Sequence, residues 1–158
     1  MERHTSRREF LLAARGVAAG IGLASVVTVE PARATPAEMQ EAIRKVVGSA
    51  RVNPGKVTLE LPPLIENGNA VPLAVTVESP MTEAQHVRAV HVFTEKNPQP
   101  NVVSFHLGPR AGRAKVATRV RLADSQNVVA ICELSDGSFW SDSAGIVVTL
   151  AACLEDGI

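Results

Sequence analysis

From Gly55 onward the apolar residues recur with a period of two, and this alternation restricts the possible folds more than any other feature of the chain. Val57, Leu59 and Leu61 alternate with Thr58 and Glu60, as in a strand with one buried face. Similar runs span 71–77, 89–94, 102–107, 114–122, 128–134, 138–141 and 146–150. Turn signals lie between them. Glu66-Asn67-Gly68-Asn69 offers residues that accept the positive φ of a tight turn, and Ser135-Asp136-Gly137 is of the same kind. Glu95-Lys96-Asn97-Pro98-Gln99-Pro100 is a proline-rich turn, and Pro72, near the start of its run, points to an edge strand. About eight short strands punctuated in this way predict a β-sandwich.

The chain has 158 residues, which fits one domain. It is 46% hydrophobic and only 3% aromatic, so its apolar mass is the small branched kind that suits strands. Formal net charge is zero and no basic block stands out in the body, so a nucleic-acid partner is not expected.

The N-terminus reads as an address. Arg7 and Arg8 precede Phe10-Leu11-Leu12, the twin-arginine pattern of the bacterial Tat export route. An apolar stretch from Phe10 to Val29 follows, and Ala32-Arg33-Ala34 has the small-x-small form that signal peptidase cuts. Arg15, Gly16, Gly20 and Gly22 interrupt the stretch and argue for cleavage over a permanent membrane anchor. The expected organisation is a signal over 1–34, a folded domain over 35–150 and a C-terminal arm over 151–158, located in the periplasm.

The domain should begin with one helix. Thr35 can cap, Pro36 tolerates the first helical position, and Glu38 completes a capping box. Met39, Ile43, Val46 and Val47 recur at helical spacing until Gly48. The stripe must be buried on the domain itself or on a partner, and self-packing is the commoner outcome.

Candidate chemistry centres on the tail. The last strand runs into Ala151-Ala152-Cys153-Leu154, where small residues place a thiol on a short tether. Three extended residues beyond Leu150 reach roughly 10 Å. Taken alone, Cys153 also reads as a surface cysteine of no consequence. Cys132 shares a strand face with Ala130 and Leu134 and is expected to fill the core. A Cys132–Cys153 disulfide would need Cα atoms within about 7 Å, which spacing alone does not decide. His86, His91 and His106 stand in separate segments without metal-ligand spacing, so no metal site is expected. No nucleophile elbow or phosphate-binding glycine loop is present, and no catalytic residue is assigned. Trp140 follows a hairpin turn and reads as core or as an interface anchor, with core preferred.

Several segments taken in order resemble the SoxY family, the sulfur carriers of the bacterial Sox thiosulfate-oxidising system. They are Lys56-Val57-Thr58-Leu59-Glu60-Leu61-Pro62, Glu66-Asn67-Gly68-Asn69, Val71-Pro72, Ser79-Pro80-Met81-Thr82, Glu95-Lys96-Asn97-Pro98 and Leu134-Ser135-Asp136-Gly137-Ser138-Phe139-Trp140. The resemblance implies an immunoglobulin-like β-sandwich, without a cofactor, paired as a heterodimer with a SoxZ-like β-protein. It implies that the cysteine on a Gly-Gly-Cys-Gly-Gly arm carries sulfur intermediates covalently, and Cys153 matches that position. Enzymes of the SoxAX, SoxB and SoxCD types would then load, hydrolyse and oxidise the cargo. Ala151, Ala152 and Leu154 depart from the glycine pattern, and Glu155 and Asp156 bring negative charge beside the thiol. The expected function is a covalent sulfur carrier that is not itself an enzyme. The alternatives are a non-carrying interaction module with a vestigial tail and, last, a thiol enzyme pairing Cys153 with a strand histidine.

Overall fold

The computed structural model describes residues 34–150. The expected leader, with Arg7 and Arg8, and the arm residues Ala151, Ala152, Cys153 and Leu154 lie outside the described residues.

Helix α1 spans Pro36–Val47. Its capping box forms as the sequence predicts: Glu38 N–H donates to the Thr35 hydroxyl at 3.3 Å, and the Glu38 carboxylate accepts from Thr35 N–H at 2.7 Å. Gly48 ends the helix at φ +62, with its N–H on the Arg44 carbonyl at 2.8 Å. Met39, Ile43 and Val47 are buried and pack on Phe93, Ile131 and Phe139, so the stripe is satisfied within the domain. Each of those three side chains contributes roughly 1.5–3 kcal/mol by burial.

The strands are β1 (Val52–Pro54), β2 (Val57–Glu60), β3 (Leu64–Ile65), β4 (Val71–Val77), β5 (Val87–Thr94), β6 (Asn101–His106), β7 (Lys115–Val120), β8 (Gln126–Leu134) and β9 (Phe139–Val148). The larger sheet has the order β1-β9-β8-β5-β6, with β3 also pairing with β9, and the smaller sheet is β2-β4-β7. The two sheets form an immunoglobulin-like β-sandwich. Val71, Leu73, Val75 and Val77 of β4 face Val128, Ala130, Cys132 and Leu134 of β8 across the core. Alternate residues of the larger sheet, Phe93, Ile131 and Phe139, point the other way and receive α1.

Three local expectations change, and two strands are added. The segments 138–141 and 146–150 belong to one strand, because β8 pairs with β9 without a break from Glu133↔Phe139 to Gln126↔Ile146. Gly145 does not interrupt it; a Cβ there would lie 3.3 Å from Asn127 Oδ1, so glycine answers a close side-chain approach. Pro72 is on the middle strand of its sheet, not on an edge strand. It is tolerated because β2 reaches only to Ala74, which leaves Pro72 paired on one side with Arg119. The Asn67 turn is made without positive φ: Asn67 sits at φ −134 and its side chain accepts from Asn69 N–H at 2.9 Å. Finally, β1 and β3 form short parallel pairs with β9 that alternation does not reveal.

Candidate functional site

At the end of β9 the backbone through Leu150 is closely bonded to its neighbours and forms the root of the expected arm. Thr149 N–H donates to Ile65 O at 2.9 Å, and Leu150 N–H to Glu66 O at 3.1 Å. The Leu150 carbonyl accepts from Gly68 N–H at 2.8 Å. One step earlier, Val148 N–H donates to Ser125 Oγ at 2.9 Å. Both backbone groups of Leu150 are thus held, and the turn Glu66-Asn67-Gly68 is what holds them. Cys153 lies three residues further along the sequence. Leu64, Val147 and Leu150 are the exposed large hydrophobics of the described residues, at 59%, 53% and 60% exposure, and Leu64 pairs in register with Val147 beside this root.

The other thiol is sealed away. Cys132 has no exposed surface and sits among the core residues of β8, as its neighbours on the strand imply. Burial pushes its thiol up to about 11. Its nucleophilic thiolate is therefore almost absent near neutral pH.

The strand histidines do not converge on the root. His106 pairs with Ala89, and through Glu133 that level of the sheet is Phe139, the far end of β9 from Val148. His91 lies level with Ile131 and Ser141. At about 3.3 Å per residue, Ser141 is more than 20 Å from Val148, beyond a tether of roughly 10 Å. His86 precedes β5 at that same far end, and its Nδ1 is 3.1 Å from Thr82 O. A nucleophile–base pair of Cys153 with any of the three within one chain is not supported. His91 Nδ1 instead meets Ser104 Oγ at 2.8 Å, and burial, followed by the nearby His106, lowers its pKa. Among the described residues no group of three or more His, Cys, Asp or Glu is placed to hold a metal, and no helix is long and apolar enough to cross a membrane.

Trp140 is half-buried rather than enclosed. It packs against the core cluster, donates its Nε1–H to Ser138 Oγ at 3.1 Å, and has Lys56 Nζ 4.3 Å from its ring centroid. Its neighbour Phe139 turns to the opposite face and meets α1.

A basic concentration does exist in the body, contrary to the sequence reading. Arg110, Arg113, Lys115, Arg119 and Arg121 are all exposed, on β7 and the segments flanking it, and no Asp or Glu occurs from 99 to 123. The acid-free interval was the available signal. Counted over the whole chain it is hidden by a net charge of zero.

The sulfur oxidation protein SoxY family model matches residues 43–153, well over half of the chain, ending on Cys153. No curated protein matches. Among solved structures, the sulfur carrier protein SoxY from Chlorobium limicola f thiosulfatophilum aligns with a TM-score of 0.61 and 26% identity, covering 72% of this chain and 98% of that one. A superoxide reductase (neelaredoxin) variant from Ignicoccus hospitalis aligns with a TM-score of 0.53 and 18% identity, over 68% and 86% of the two chains. A superoxide reductase-like protein from Thermotoga maritima gives 0.51 and 23%, over 62% and 87%. At those identities the reductases share the fold, and nothing further follows from them. The family match extends from inside α1, through every strand, to the cysteine beyond the pinned root, and this chain belongs to the SoxY family of sulfur oxidation proteins.

Proposed function

We propose that the protein is a periplasmic carrier that holds thiosulfate-derived sulfur covalently on Cys153. The observation that carries this reading is the family match reaching Cys153 itself, three residues beyond a hydrogen-bonded root. Cys132, buried and with a raised pKa, offers no competing nucleophile. Loading joins the Cys153 sulfur to the outer sulfur of thiosulfate: RSH and the thiosulfate dianion give RS–S–SO3−, one proton and two electrons. A partner enzyme of the SoxAX type takes the electrons. Hydrolysis by a SoxB-type enzyme then yields the persulfide RS–S−, sulfate and two protons, and a SoxCD-type enzyme oxidises the remaining sulfane. The chain does none of this chemistry itself; it presents the thiol. Tat export through Arg7 and Arg8 places it in the periplasm. The exposed Leu64, Val147 and Leu150 support a SoxZ-like β-protein that covers apolar surface in a heterodimer.

The test is intact mass after exposure to thiosulfate and an oxidising SoxAX-type partner. The wild-type chain should gain one thiosulfate, and Cys153→Ser should gain none while keeping its fold and its partner. Loss of folding or partner binding in Cys153→Ser would make Cys153 structural. Absence of loading in the wild type would leave the chain as an interaction module with a vestigial tail.

A further inference from the structure

The sandwich is tied along one side and open along the other, and the open side is positively charged. On the tied side, β2 is joined to β9 where Leu59 N–H donates to the Asp142 carboxylate at 2.9 Å. On the open side, β6 ends the larger sheet and β7 ends the smaller one. Among the described residues no hydrogen bond or ion pair joins β6 to β7 themselves; Asn97, in the turn before β6, closes one end of this side by donating to the Arg121 carbonyl at 2.7 Å. A groove of about 400 Å³ runs between them, with Val102, Val103 and Val120 as its apolar lining and Thr118, Arg119 and Arg121 at its margin.

Charge along this side is one-signed. Lys115, Arg119 and Arg121 alternate with Val116 and Val120, so the cations share one face of β7 and its continuation while the valines turn toward the core. Of the five cations from Arg110 to Arg121, only Lys115 has an anionic partner among the described residues, Glu60 at 4.0 Å. Pairing β7 with β7 of a second copy would set like charges against one another, so these residues oppose self-association at this edge. A strand whose side chains alternate carboxylate and small apolar would do the reverse on both faces.

We infer that the β6–β7 side is a docking face for an extended acidic segment of a partner protein. The segment adds along the β7 edge, with carboxylates against Lys115, Arg119 and Arg121 and apolar side chains in the Val102–Val120 groove. Its place relative to Leu150 is fixed by one residue. The Gly68 carbonyl accepts from Leu122 N–H at 2.8 Å, while the Gly68 N–H donates to Leu150 O at 2.8 Å. A partner seated at the end of β7 therefore lies beside Leu150, three residues before Cys153 in the sequence. The inference needs no carrier chemistry and stands or falls separately from it.

The test titrates the isotope-labelled full chain with a peptide of about six residues alternating Glu and Val, read by backbone amide shifts. Shifts should concentrate on 102–106 and 115–122, and affinity should fall as salt rises. Arg119→Glu combined with Arg121→Glu should weaken binding by about tenfold or more, whereas Arg44→Glu on α1 should not change it. Both arginines are exposed; should the double variant lose its dispersed spectrum, Lys115→Glu serves in its place. Equal binding of a Lys/Val peptide, shifts mapping elsewhere, or unchanged affinity in the variants would overturn the inference. So would sulfate displacing the peptide at equal concentration, which marks a small-oxyanion site, or tighter binding of a DNA duplex, which marks a general polyanion surface.

Discussion

Asn97→Ala should be among the most damaging single polar substitutions in this domain, and its cost can be worked from its bonds. Asn97 is only 8% exposed. Its Nδ2 donates to the Arg121 carbonyl at 2.7 Å. Its Oδ1 accepts from Ala123 N–H at 3.0 Å and from Gln126 Nε2 at 3.0 Å. Alanine strands all three partners at once. A buried polar group left unpaired costs about 1–3 kcal/mol, and solvent entry at the half-buried Ala123 trims the total, so about 2–3 kcal/mol is expected. For a domain of this size that is a drop in Tm of roughly 10 °C. Asn127→Ala is the matched control. Asn127 also bonds through its side chain, to Glu95 at 3.0 Å, but at the surface, so its loss should stay within about 0.5 kcal/mol. Urea unfolding of the two variants, compared at equal m, gives the difference. If Asn97→Ala costs no more than Asn127→Ala, burial of this network does not set its energy and the reasoning is wrong.

Two further outcomes follow from the thiols. Because burial raises the folded Cys132 pKa to about 11, the folded state binds its proton more tightly than the unfolded chain. Stability from this group is complete below the unfolded value and is lost as pH rises toward the folded one, by up to about 2–3 kcal/mol between roughly pH 9 and 11. Cys132→Ala should lose about 1 kcal/mol near neutrality and show a flatter alkaline limb in chemical denaturation; parallel curves would refute the assignment. Replacing 151–158 by Gly-Gly-Cys-Gly-Gly should speed loading by a partner from a glycine-arm system. If charge from Glu155 and Asp156 causes the deficit, added salt should shrink it; equal rates at every salt concentration would show the native tail to be harmless.

What was legible in the sequence was what is local. The capping box at Thr35 and Glu38, the Met39–Ile43–Val47 stripe and the alternation of β2, β4 and β8 are set by neighbours within a few residues, and they stand as read. What was not legible depends on residues far apart. β1 and β3 are too short to show a period and exist because β9 offers them a parallel partner. Gly145 falls between two runs that read as separate strands, and its place inside one strand shows only once β9 is paired with β8 and Asn127 stands beside it. The root has the same character, since only the folded chain shows Gly68 bridging Leu122 and Leu150. The charge on the β6–β7 side was visible as an acid-free interval, but its meaning needed the topology that makes both strands edges. The role proposed for Cys153 rests on the family match, which ends on that residue.

A chain with two cysteines that is to carry cargo on one of them must keep the other out of the reaction, and the sandwich does so by position alone. An ordinary cysteine with pKa about 8.5 is a few per cent thiolate at pH 7. Cys132, at about 11, is lower in thiolate by a factor of roughly 300 before its lack of exposed surface is considered. The same alternation that turns Cys132 inward with Ala130 and Leu134 turns Ile131 outward to α1, so the helix and the silent thiol are two consequences of one strand. At the other end of the sheet, β9 keeps its apolar register through Ile146 and Val148, and backbone bonds to Ile65, Glu66 and Gly68 hold the two residues after it. This bonding reaches Leu150, three residues before Cys153. On the proposed reading, the burial of Cys132 decides which sulfur reacts, and the fold contributes selectivity to a reaction whose chemistry other proteins perform.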